Sequence, residues 1–269
     1  MMNKFKFTFG TLLVCFLFSA GEAMAQLGPC SVPIGPLRPD LIVDRQMLRA
    51  QMYLTEETFT AFGCTVTEGC VTSPGTHLLL RFMSSTPNIG QTDLVIGAPE
   101  DCLGDLFQFS ECHQHLHFKE YADYRLWTPA GYDKWVARRD LTSPTNSGKN
   151  AQLLERARQN GELVIGRKQG FCMIDIAPYK FGDVEPGPKV YEGCNFQGIK
   201  VGWADQYVPQ LACQFIQMTG LTEGDYVLED HVNPEQLLPE SDYTNNASAV
   251  RFHFKPKQGR SGPVIEVID

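Results

Sequence analysis

The chain has 269 residues, is 43% hydrophobic and 20% charged, and carries a net charge of −8. Those proportions support a packed core and exclude wholesale disorder; the length fits one sizeable domain or two small ones. The acidic balance argues against nucleic acid as a partner and favours cationic ones through long-range steering.

Residues 1–25 read as a secretory signal: Lys4 and Lys6, an apolar run from Phe7 to Ala20, then Ala23-Met24-Ala25. Fourteen residues are too few to cross a bilayer comfortably, so an exported chain, secreted or periplasmic, is expected rather than a membrane-held one. Without Lys4, Lys6 and Glu22, 21 basic and 30 acidic side chains remain, a net charge of −9. Eight cysteines also remain, an even number that reads as disulfides in an oxidising compartment, with 105 possible pairings.

Residues 26–37 look like an extended entry segment. Short apolar runs of strand length follow, His77–Met83, Phe171–Ile176, Cys213–Met218, Asp225–Val232 and Ala247–Phe254, with turn glycines near their ends. Lys149–Asn160 has helical composition and spacing, and it lies in an excursion over 128–162. The expected fold is mainly β: a compact, loop-rich, β-sandwich-like domain with few short helices, stapled by disulfides. A loose tail is expected over 257–269.

Three of the six histidines fall at 113, 115 and 117. A period of two puts them on one face of a strand, where the outer two lie about 13 Å apart. Imidazole–metal bonds are only about 2 Å long, so three rings reach one ion only if the segment bends. Three imidazoles without a thiolate suit copper or zinc and leave a coordination position open. A zinc hydrolase with an activated water is one alternative; a non-catalytic exported copper-binding protein is another.

The cluster in its setting, ECHQHLHFKEY, resembles the copper-binding segment of lysyl oxidases. The likeness continues through Arg167-Lys168-Gln169-Gly170-Phe171-Cys172, through Cys194-Asn195-Phe196-Gln197-Gly198-Ile199 and through Gly202-Trp203-Ala204-Asp205-Gln206-Tyr207. It ends in Pro239–Asn246, and upstream Arg38-Pro39-Asp40-Leu41 matches as well. The order of these motifs makes the match specific, and a single catalytic domain over 38–256 is expected.

The resemblance implies copper on His113, His115 and His117, and a lysine tyrosylquinone cofactor made from Lys168 and Tyr207. It implies oxidation of primary amines, lysine side chains of basic proteins or free amines, by molecular oxygen to aldehydes, hydrogen peroxide and ammonia. A carboxylate is needed as general base; Asp205 is the first candidate and Asp175 the second. The resemblance further implies calcium held by Asp40, the Leu41 carbonyl, Glu240, Asp242, Asn245 and Asn246, a set of hard oxygen donors. Family disulfides map onto Cys112–Cys194 and Cys64–Cys70, leaving Cys172–Cys213 and Cys30–Cys102 as the remaining pairs. A glycan on the Asn246-Ala247-Ser248 sequon would exclude a calcium role for Asn246.

Overall fold

The computed structural model describes residues 35–104, 106–112, 114–168 and 172–269, with the side chains of Ile165, Arg167 and Lys168 outside the description. Helix α1 (Arg45–Ala50) is capped by Asp44, whose carboxylate accepts from the Gln46 and Met47 amides. Strand β1 (Tyr53–Phe59), the one-turn helix α2 (Cys64–Thr67), β2 (Gly75–Arg81), β3 (Ser84–Pro87) and β4 (Leu94–Gly97) follow. A hairpin of β5 (Phe107–Ser110) and β6 (His115–Phe118) leads into β7 (Ala122–Trp127). The excursion holds α3 (Pro129–Arg138) and α4 (Ser147–Gln159), and β8 (Leu163–Lys168) returns from it. Then come β9 (Ala177–Pro178), β10 (Gln197–Ile199), β11 (Trp203–Tyr207), β12 (Phe215–Gln217), β13 (Gly224–Val232), β14 (Ala247–Lys255) and β15 (Val264–Val267).

The fold is mainly β, as expected. The largest sheet is antiparallel, in the order β15-β14-β13-β7-β8, and smaller sheets β1-β2-β12 and β3-β11-β9 complete the scaffold. Every residue of β13 from Val227 to Val232 is buried, because both faces of the strand are covered. Its alternation assigns the faces. Leu228 and Val232 join the main core with Phe82, Tyr124, Ile216 and Phe252, whereas Val227 packs with Trp127 and Trp135 under α3. Burying these side chains supplies the main stabilisation, about 1.5–3 kcal/mol for each large apolar group.

Glu229 anchors the helical excursion. Its fully buried carboxylate accepts from Trp127 Nε1 (3.0 Å), Trp135 Nε1 (3.0 Å), Arg139 Nη1 (2.7 Å) and Arg125 Nη1 (3.4 Å). Neighbouring His231 accepts from Arg125 at Nδ1 (3.0 Å), and burial with the nearby Arg125 and Arg139 charges depresses its pKa well below the usual value.

Several expectations are corrected. Residues 172–176 are not a strand; Phe171 lies outside the described residues. The tail is not loose, since β15 pairs with β14 from Phe252↔Val267 to Lys255↔Val264. The disulfides are Cys64–Cys112, Cys70–Cys213 and Cys172–Cys194, not Cys112–Cys194, Cys64–Cys70 or Cys172–Cys213. Cys64 opens α2 and Cys70 follows a left-handed Gly69 (φ 74°), and the two pair with different partners, Cys112 and Cys213. Cys102 is buried, and Cys30 lies outside the described residues. The sequon residue Asn246 is fully buried, which leaves no room for a glycan.

Candidate functional site

The described part of the histidine segment turns just before His115. Glu111, Cys112 and Gln114 lie in the turn between β5 and β6, Gln114 is left-handed (φ 56°), and its amide donates to the Ser110 carbonyl (2.8 Å). Beyond the turn, His115 and His117 bring their Nε2 atoms to 3.1 Å. With metal–nitrogen bonds of about 2.05 Å, that separation corresponds to a ligand–metal–ligand angle of about 100°, which suits two neighbouring positions on one ion. The pair therefore fits a metal of the copper or zinc class. His113 lies outside the described residues. Among the described residues the other His/Cys/Asp/Glu grouping of metal-binding size is Glu68, Cys70 and Cys213, and those two cysteines are already bridged to each other.

The tyrosine sits in the core. Tyr207 ends β11, opposite Ser84 of β3, and is 3% exposed. Its hydroxyl donates to the Cys172 carbonyl (3.3 Å), and its ring packs against Tyr121 with centroids 5.3 Å apart. Burial first, then the charge of Asp205 and a hydrogen bond with it, raises the Tyr207 pKa well above its usual value. Two residues apart on one strand, Asp205 and Tyr207 share a face.

Of the two candidate bases, Asp205 is 1% exposed and acts on both Tyr207 and Tyr121. Asp175 is committed to structure: it accepts from the amides of Val190 (2.9 Å), Tyr191 (3.0 Å) and Lys200 (2.8 Å). Sequence reasoning missed Asp230, fully buried, whose charge raises the pKa of Tyr121 and of Tyr124. The signal was an acid alternating with Leu228 and Val232 on an apolar strand face. The Lys168 backbone closes β8 opposite Ala122, the residue that follows Tyr121, and its side chain lies outside the description.

The segments around Asp40 and Glu240 meet as well. Glu240 is 1% exposed and accepts from the Leu41 amide (2.6 Å), Asn233 Nδ2 (2.6 Å) and Asn246 Nδ2 (2.7 Å). Burial outweighs these donors and pushes its pKa up to about 8. Asp40 accepts from Asn245 Nδ2 (2.9 Å). Asn245 Oδ1 and Asn246 Oδ1 are buried and accept no hydrogen bond, so the cradle holds spare oxygen acceptors of the kind a hard cation uses. Asp242 is instead exposed and caps its own turn through Thr244 (2.7 Å). Gly90 allows the approach, since a Cβ there would lie 2.5 Å from the Asp40 amide nitrogen.

No helix among the described residues is long and apolar enough to cross a membrane. A family model described as lysyl oxidase matches residues 39–138 and 151–261, so only 139–150 of the excursion fall outside it. The chain is 29% identical over 226 residues to lysyl oxidase homolog 2 of Mus musculus, covering 80% of this chain and 24% of that protein. It is 26% identical over 226 residues to lysyl oxidase homolog 1 of Homo sapiens (80% and 33%) and 31% over 227 residues to lysyl oxidase homolog 2A of Danio rerio (80% and 26%). The matched region thus spans about a quarter to a third of the length of these relatives. The bent histidine hairpin, the buried tyrosine and the extent of these matches lead to one conclusion: the chain belongs to the lysyl oxidase family.

Proposed function

We propose that this chain is an exported copper amine oxidase that converts primary amines to aldehydes with release of hydrogen peroxide and ammonia. One observation carries the reading: Tyr121 lies four residues beyond His117 of the converging His115/His117 pair, and its ring packs on Tyr207. Four residues span at most about 14 Å, so a metal on β6 and the Tyr207 ring belong to one neighbourhood. His113, His115 and His117 would hold copper. When bound, copper with oxygen supplies the oxidising chemistry that turns the Tyr207 ring, joined to the Lys168 amine, into the quinone the family uses.

The protein's own groups then have definable tasks. Asp205 keeps the Tyr207 hydroxyl protonated before maturation and would serve as the base that takes a proton from an amine carbon brought to that ring. The Cys172 carbonyl fixes the direction of the hydroxyl. Tyr121, Tyr124 and Phe82, all fully buried, wall this side of the core from bulk solvent, while the water that hydrolysis consumes would enter with the amine. Asp40, Glu240, Asn245 and Asn246 would hold calcium, tying the entry segment to the loop before β14.

The test is peptide mass spectrometry of protein matured with copper and oxygen. A cross-linked 168–207 peptide pair, peroxide release from a primary amine, and loss of both in Tyr207→Phe are expected. Copper retention without cross-link or peroxide would make the chain a non-catalytic copper binder. Amine-independent hydrolysis with zinc would make it a hydrolase.

A further inference from the structure

A groove of about 520 Å³ opens between residues 99–103, the β5–β6 hairpin and the loop at Cys194. Phe109 and Leu116, cross-strand partners in the hairpin, and Leu103 give it apolar walls, and Glu100 stands at its polar rim. Leu103 is 60% and Phe109 53% exposed. Large apolar side chains gathered in the open are informative in a way that a single exposed leucine is not.

Two residues of its lining connect the groove to the candidate site. His115 lines it directly. Cys194 lines it too, and its disulfide partner Cys172 carries the carbonyl that receives the Tyr207 hydroxyl. At about 30 Å³ per water-sized group, a six-atom aminoalkyl arm would fill only about a third of this volume. In the remainder, Leu103, Phe109 and Leu116 offer the apolar surface.

We propose that this groove is the subsite for the part of the substrate that carries the amine, and that it selects carriers with a bulky apolar group next to the aminoalkyl arm. The inference rests on the amine oxidase reading and names its substrate class. Glu100 draws the ammonium to the mouth by its charge, and Leu103 and Phe109 hold the apolar group while the arm extends past His115.

The copper-matured enzyme would be assayed for peroxide release from 4-phenylbutylamine and from 1,5-diaminopentane. Wild type should show the lower KM for 4-phenylbutylamine. The double variant Leu103→Ser/Phe109→Ser should raise that KM about tenfold, equal to about 1.4 kcal/mol or the contact of roughly 55 Å² of apolar surface. Its kcat, and its KM for 1,5-diaminopentane, should stay unchanged, and Val136→Ser on α3 should change neither amine. Equal KM shifts for both amines, or no shift, would overturn the proposal. Calorimetric binding of 4-phenylbutylamine decides the matter even in protein that oxidises no amine. Weakening by the double variant supports the groove whatever the chemistry, and undiminished binding refutes it.

Discussion

Replacing Glu229 by Gln tests how the helical excursion is held to the sheet. Each carboxylate oxygen serves one indole and one guanidinium: Oε1 takes Trp135 and Arg139, Oε2 takes Trp127 and Arg125. Glutamine keeps one oxygen and turns an amide N–H₂ toward the other two donors. The loss is one charge-assisted hydrogen bond, about 1.5–3 kcal/mol, and one neutral one, about 0.5–1.5 kcal/mol, so about 3 kcal/mol in all. Arg125 keeps its pair with Asp123 (2.8 Å), which limits the damage to that sum. For a domain of this size the expected drop in Tm is about 6–12 °C. Thermal unfolding followed by near-ultraviolet circular dichroism would measure it, because two of the three tryptophans bond to Glu229. A drop of less than about 2 °C would refute the assignment of Glu229 as the anchor.

Asp205→Asn should lower kcat by about 10²–10⁴-fold with little change in Tm, whereas Asp175→Asn, which disturbs three amide bonds, should lower Tm and spare kcat; steady-state kinetics beside thermal melts separate the two. His117→Ala should abolish stoichiometric copper measured by plasma mass spectrometry, since it removes one of the two nitrogens that meet at 3.1 Å. Glu240 has a folded pKa of about 8 against an ordinary 4.5, so between those values the folded protein binds more protons than the unfolded chain. Its contribution to stability is therefore greatest below about 4.5 and declines as pH rises to about 8. Melts across that window should show the decline without divalent ions, and millimolar calcium should flatten it by holding Glu240 ionised; an unchanged slope would count against the calcium site.

Part of the candidate site was legible because its signal is local. The alternation at 113, 115 and 117 called for a bend if all three rings meet one ion; among the described residues a left-handed Gln114 stands before His115, while His113 lies outside the description. Alternating apolar runs located β2, β13 and β14, and helical spacing located α4. Pairing was not legible, because a cysteine's partner depends on where remote segments fold: Cys70 and Cys213 are 143 residues apart yet have Cα atoms 5.4 Å apart. The anchor at Glu229 was hidden for the same reason, its donors coming from β7, α3 and the residue after α3. Helix α3 did announce its start, with Thr128 as cap and Pro129 in the first turn, but an apolar stripe broken by Gly131 and Asp133 concealed its length. The strand over 264–267 is too short to display a period, and it forms because β14 offers an open edge.

The bridges at Cys112 and Cys194 bear on how the proposed centre would be assembled. Cys112 adjoins the histidine hairpin and is tethered to Cys64, while Cys194 is tethered to Cys172, whose carbonyl accepts the Tyr207 hydroxyl. Under the proposed copper chemistry, closure of both tethers before metal loading would let the ion meet a hairpin and a phenol that are already held, and a reduced chain would be expected to take up copper less well.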